Sequence, residues 1–251
     1  LIGNEQGELL GLIRTQELLA ARRTDGAEQF FSRAKDFGFS KTAEETFQIW
    51  GKEQILADAV WVIRKFRPDI IITRFPEDAR AGHGHHAASA IIAREAFVAA
   101  ADPNRFPEQL KSVQVWQAKR ILWNTFNFGS INTTSEDQLK IDVGGYNPLI
   151  GKSYGEIAAE SRSNHKSQGF GSAKQFGQVF EYFSPVAGDP AKKDLFDGID
   201  LTWNRIKDGK NLVNLITRIN QDFNIEDPSR SVVALTQFLT EIEKLPASAL
   251  T

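Results

Sequence analysis

Three of the four histidines in this sequence fall within one short stretch, Gly82-His83-Gly84-His85-His86. Neutral imidazole is the commonest zinc ligand, and His83 and His86, three residues apart, can both address one point in space. The two glycines let the backbone turn sharply and come close to whatever sits there. The competing reading is structural: a histidine-rich helix start in solvent, with one ring capping a backbone group. Glu77 and Asp78, upstream in the same segment, are candidate carboxylate ligands, although acidic residues at such a place more often cap a helix or face water. Arg80, two residues further on, can hold an anionic group or simply decorate the loop. His165 and Gln168, in His165-Lys166-Ser167-Gln168, end a predicted helix and can reach the same rim. A helix C-terminus favours a histidine in any case, so this second signal is weak alone.

Other chemistries fall away early. The sequence has no cysteine, which removes disulfides, thiolate metal sites and thiol nucleophiles together. It contains no GxGxxG that opens a helix after a strand and no GxxxxGK[ST] phosphate loop. Gly169-Phe170-Gly171-Ser172 follows a helix, which argues against a phosphate role. Lys and Arg number 30 against 32 Asp and Glu, a net charge of −2, so there is no electrostatic footprint for nucleic acid and no polybasic membrane patch. No apolar run approaches the roughly 20 residues of a membrane helix. Trp116, Trp123 and Trp203 are core residues by default, with sugar-stacking platforms as the alternative.

The elements that must position the histidines are legible in outline. The 251 residues, 41% hydrophobic and 25% charged, suit one large α/β domain. Apolar spacing predicts a helix over 8–23, closed by Gly26, and the clearest helix over 48–66. Arg67-Pro68-Asp69 stops that helix, and Ile70-Ile71-Ile72-Thr73-Arg74-Phe75 reads as a strand covered on both faces. Residues 76–84 form a loop and 85–100 a further helix, which places the histidines outside the carboxyl end of a strand, where open α/β sheets bind ligands. A strand over 118–125 follows, and a short one is expected over 27–32. Strand, helix and strand at this spacing imply a mostly parallel sheet with helices on both faces. Residues 127–150 are turn-rich and read as an irregular or hairpin excursion, 152–166 as a helix and 167–177 as a loop. Helical patterns return over 195–206, 212–219 and 231–244. The expected organisation is a domain over 1–190 with a helical C-terminal extension over 191–251 packed on it.

Several of these features in this order resemble a known family. An Arg14-x-x-Glu17 helix, the strand in Pro68-Asp69-Ile70-Ile71-Ile72-Thr73-Arg74, a His-x-x-His loop running into a helix and a later His-x-Ser-Gln resemble the PIG-L/LmbE zinc-dependent N-deacetylases, over about Leu1 to Gln178. The resemblance implies a Rossmann-like fold, zinc as cofactor, and removal of an acetyl group from a small N-acetylated sugar of the N-acetylglucosamine type, or a related amide. It makes His86 a metal ligand and His83 the catalytic histidine that stabilises the tetrahedral intermediate or protonates the leaving amine. Arg80, His165 and Gln168 become substrate-binding candidates. Where the family usually has an aspartate just before the ligand histidine, this sequence has His85. The family's His-Pro-Asp-Asp motif, which supplies two zinc ligands and the carboxylate base, occurs nowhere in it. There is also no methionine, and Leu1-Ile2-Gly3-Asn4-Glu5 reads as the middle of a loop, so the expectation is a fragment or processed chain carrying about half its site. That leaves the compartment open. Two rivals stand beside the deacetylase reading: a non-catalytic carbohydrate-binding or scaffold relative, and another metal-dependent hydrolase completed by Glu77 or Asp78.

Overall fold

The computed structural model describes residues 3–169, 171–207 and 209–246. Phe170, in the glycine-rich stretch after His165, lies outside them. The chain divides into two compact units, Leu1–Leu195 and Phe196–Thr251.

The first unit opens with α1 (Gly7–Asp25), which closes at Gly26 in the left-handed region, φ 74°, with its N–H donating to Arg22 O. The helix expected over 48–66 is instead two, α2 (Ala43–Trp50) and α3 (Lys52–Phe66), broken at Gly51 with φ 76° and ψ 94°. Thr42 starts α2 by accepting the Glu45 N–H on its hydroxyl, a capping residue inside a stretch whose polarity suggests a loop. Ala27–Ser32, an expected strand, has no regular structure.

Strand β1 (Ile70–Thr73) leads through a 3-10 turn over Ala79–Ala81 into α4 (Gly84–Ala99). Ile55, Leu56, Val60 and Ile63 of α3 pack on Ile92 and Ala96 of α4 in the largest apolar cluster. The Arg64 side chain is buried there and donates to the carbonyls of Ala99, Ala100, Asp102, Arg105 and Phe106. A cation at the C-terminal end of α4 is where the helix dipole stabilises it.

Next come β2 (Arg120–Thr125), the short pair β3 (Asn127–Phe128) and β4 (Ile131–Asn132), then β5 (Leu139–Asp142). A second short pair, β6 (Tyr146–Asn147) and β7 (Lys152–Ser153), leads into α5 (Tyr154–Ser163), and β8 (Phe180–Gly188) completes the unit. The sheet order is β1-β2-β8-β5. Only the β1–β2 pairing is parallel; β8 runs antiparallel to both its neighbours. The mostly parallel sheet read from the sequence is thus a mixed one among the described residues. The strand that changes it, β8, hides behind Pro185, because proline inside a run argues against a strand. Pro185 is tolerated here because the register with β2 slips beside it, Ile121 facing Ala187 and Leu122 facing Pro185.

In the second unit, α6 (Lys210–Asp222) and α7 (Val232–Glu243) pack through Leu212, Ile219 and Phe238. Trp203, a possible stacking platform by sequence, meets Phe238 edge-on at 5.0 Å and is a packing residue. The helix expected over 195–206 is only a 3-10 turn at Trp203–Arg205.

Candidate functional site

Parallel pairing brings the carboxyl ends of β1 and β2 to one side, and the histidine loop leaves β1 there. Gly82 turns the chain at φ 71°, and His83 becomes the N-cap of α4. The loop docks against Phe39–Thr42: the Gly84 N–H donates to Ser40 O at 2.8 Å. A Cβ on Gly84 would overlap Thr42 O and Ser40 Oγ, so only glycine fits.

Each ring of the loop has a defined surrounding. His86 lies flat on Phe75, centroids 3.7 Å apart, with its Nδ1 3.0 Å from Ala81 O. A carbonyl can only accept, so Nδ1 carries the proton and Nε2 keeps a lone pair, the arrangement that prepares a histidine as a metal ligand. The His83 Nδ1 accepts the His85 N–H at 3.2 Å, so in the neutral ring the proton is on Nε2. His85 packs between Phe37 and Trp50, at 4.4 and 4.9 Å. Burial, followed by the neighbouring His83, pushes its pKa below the ordinary histidine value.

The acidic candidates are engaged elsewhere. Glu77 accepts from Arg94 Nε at 2.6 Å. Asp78 caps the 3-10 turn and forms a bidentate pair with Arg80, 2.9 and 2.7 Å. Arg80 lies over the Trp123 ring at 5.2 Å, and both line a small apolar cavity with Phe75 and Pro76. Trp116, by contrast, spends its Nε1–H on Pro68 O and is a structural residue. His83 lines a different cavity, about 310 Å³, with Thr42, Glu77 and Asp78.

His165 and Gln168 line a third cavity, about 230 Å³, with Arg162 and two glycines; it shares no lining residue with the cavity at His83. The turn that holds them is tied to α1 by Glu17, which accepts the Ser167 N–H at 2.6 Å and its hydroxyl at 2.7 Å. Burial raises the Glu17 pKa, but these bonds outweigh it and leave the carboxyl below its ordinary value. Glu17 of the Arg14-x-x-Glu17 pattern is therefore an anchor for the later turn, whereas Arg14 pairs with Asp36 at 3.1 Å. The structure gathers His83, His85 and His86, brings Arg80 to the adjoining wall through Asp78, and keeps His165 and Gln168 in a pocket of their own.

A zinc site needs three or more protein ligands. His86 fits as one, but among the described residues no group of three His, Cys, Asp or Glu side chains is placed to hold a metal ion.

Comparison with known proteins gives this geometry a context. Residues 2–97 match the family model PIG-L, GlcNAc-PI de-N-acetylase. The matched range contains the whole histidine loop, and the resemblance read from the sequence is borne out over it. The chain is also 29% identical over 132 residues to a 1D-myo-inositol 2-acetamido-2-deoxy-alpha-D-glucopyranoside deacetylase of Geodermatophilus obscurus. That match covers 49% of this chain and 44% of the relative, so the chain spans less than half the length of the protein it resembles. Among the described residues, no helix is long and apolar enough to cross a membrane.

Proposed function

We propose that this chain is part of a zinc-dependent N-deacetylase acting on an N-acetylated sugar of the N-acetylglucosamine type. The observation that carries the reading is the paired preparation of two histidines inside the PIG-L segment. His86 keeps a lone pair on Nε2, whereas His83 keeps a proton there. One ring is thus set to accept and the other to donate. In this reading His86 supplies one metal ligand, with the remaining ligands and the carboxylate base lying outside these residues. His83 donates a hydrogen bond to the oxygen that gains charge in the tetrahedral intermediate. Arg80 and the pocket of His165 and Gln168 contact the sugar, and the sheet is the distal part of a Rossmann-like one.

Metal analysis and an assay for released acetate on N-acetylglucosaminides test this together. His83→Ala lowers turnover by about 100-fold with metal content retained; His86→Ala loses the metal. Equal metal loss in both variants would sink the division of roles. A second reading, a sugar-binding relative without catalysis, is favoured by the incomplete ligand set among the described residues. Sugar binding without stoichiometric metal or acetate release selects it.

A further inference from the structure

Ser40 is far from the histidines in sequence, yet it is fully buried against them. Its Oγ receives the Thr46 hydroxyl at 2.9 Å and the His85 N–H at 3.0 Å. The same oxygen lies 3.0 Å from His85 Nδ1 and 3.4 Å from His83 Nδ1, and the two ring nitrogens are 3.0 Å from each other. Three polar atoms thus lie within hydrogen-bond reach of one another, and two protons, the Ser40 hydroxyl hydrogen and one ring N–H, are shared among them.

The protons can be counted. His83 Nδ1 accepts a backbone N–H and therefore carries none. The His83–His85 side must then take its proton from His85 Nδ1. This leaves His85 Nε2 bare, and that atom is buried with no hydrogen-bond partner among the described residues. A bare lone pair is the cheaper of the two states for a buried orphan, since an unpaired N–H is the rarer one in folded proteins. The Ser40 hydroxyl hydrogen is left to point at His83 Nδ1. The single lone pair of His83 Nδ1 thus faces the His85 ring N–H, the His85 amide that it shares with Ser40 Oγ, and the Ser40 hydroxyl, so the His83 proton is confined to Nε2.

We propose that Ser40 is a positioning residue which, with His85 standing where the resembled family has an aspartate, fixes His83 as the Nε2–H tautomer. The role rests on the deacetylase reading above; the tautomer itself does not. An aspartate would favour the charged imidazolium by its own charge, whereas the Ser40–His85 pair selects a neutral donor by hydrogen bonding alone. His83 would then offer a hydrogen bond to an oxyanion without first acquiring a proton.

With four histidines in the chain, long-range ¹H–¹⁵N correlation of the imidazoles reads every tautomer directly, and single His→Gln variants assign them. The expected wild-type spectrum has His83 and His86 protonated on opposite nitrogens, Nε2 and Nδ1 respectively. Ser40→Ala turns the His83 signals into a mixture of tautomers and leaves His86 unchanged, and Ser40→Thr restores the single form. Should both Ser40 variants fail to fold, the wild-type spectrum and Thr46→Val, which removes the hydroxyl that donates to Ser40, decide. A protonated Nδ1 on wild-type His83, or a His83 spectrum indifferent to Ser40→Ala, overturns the proposal. In metal-replete active protein Ser40→Ala lowers kcat by about tenfold at unchanged KM, with rescue in Ser40→Thr. The stated tautomers without any deacetylation would leave the network standing and overturn the role assigned to it.

Discussion

Two histidine-bearing turns flank two different helices, and they are built on opposite plans. At the start of α4, every Nδ1 of His83, His85 and His86 has a partner within 3.2 Å. At the end of α5, the ring of His165 has a buried Nδ1 with no hydrogen-bond partner among the described residues, while the backbone beneath it is held firmly by Glu17. The first turn fixes proton positions; the second fixes only where the chain goes. A reacting group needs its donor and acceptor assigned in advance, because reorienting them costs free energy in the transition state. A residue that only lines a pocket, as His165 does beside Gln168 and Arg162, needs no such assignment. In the proposed deacetylase reading, the contrast suits the α4 turn to chemistry and the α5 turn to recognition.

The strongest way to break the contrast is to undock the first turn. Gly84→Ala drives a methyl into Thr42 O and Ser40 Oγ, both on a segment that carries the network, so neither can give way cheaply. The expected loss of stability is about 3 kcal/mol, read by urea denaturation, with the single-tautomer histidine spectrum lost at the same time. A variant as stable as wild type with its histidine spectrum intact would show that the docking against residues 39–42 is not what orders the rings.

The histidine cluster was legible in the sequence because its members are neighbours and follow a strand rich in isoleucine. The elements α1, β1 and α4 were legible for the same local reason: apolar spacing and a glycine or proline at the boundary. Ser40 was not, since no periodicity connects residue 40 to residue 85, and a serine in Phe39-Ser40-Lys41 looks like any loop serine. Glu17 was noticed only through a pattern, and its partner Ser167 lies 150 residues away. Strand β8 carries a proline that is harmless only where the partner strand's register slips, which no local pattern shows. What escaped the sequence is what depends on long-range pairing.

Loosening the anchor of the second turn has a smaller effect. Ser167→Ala removes one of two bonds to the Glu17 carboxylate and costs about 1–2 kcal/mol. The same anchor has a pH signature. The Glu17 carboxyl sits below its ordinary value of 4.5 in the folded protein, so the unfolded chain binds the proton more readily. Its contribution is complete above the unfolded value and is lost as the pH falls through the folded one. Wild type should therefore lose more stability on acidification from pH 6 to pH 3 than Glu17→Gln does, by equilibrium denaturation at each pH. Equal slopes would mean that the Ser167 bonds to Glu17 contribute nothing.

The smallest expected effect is also the sharpest discriminator. His165→Phe keeps a flat ring of similar size and removes a nitrogen that has no hydrogen-bond partner among the described residues. Deleting an unsatisfied polar atom in favour of apolar shape is close to neutral, so unfolding should move by no more than about 0.5 kcal/mol. His85→Phe, an identical change in the first turn, deletes the Nδ1 that bridges Ser40 and His83 and leaves both without that partner. It should be several times more destabilising. On the functional side the order reverses in kind: His165→Phe raises KM for the sugar with kcat nearly unchanged, because a rim contact acts on binding, while His85→Phe lowers kcat through His83. Equal destabilisation by the two substitutions would mean that His165 Nδ1 has a structural partner of its own, and the division between a turn that sets protons and a turn that receives substrate would fail.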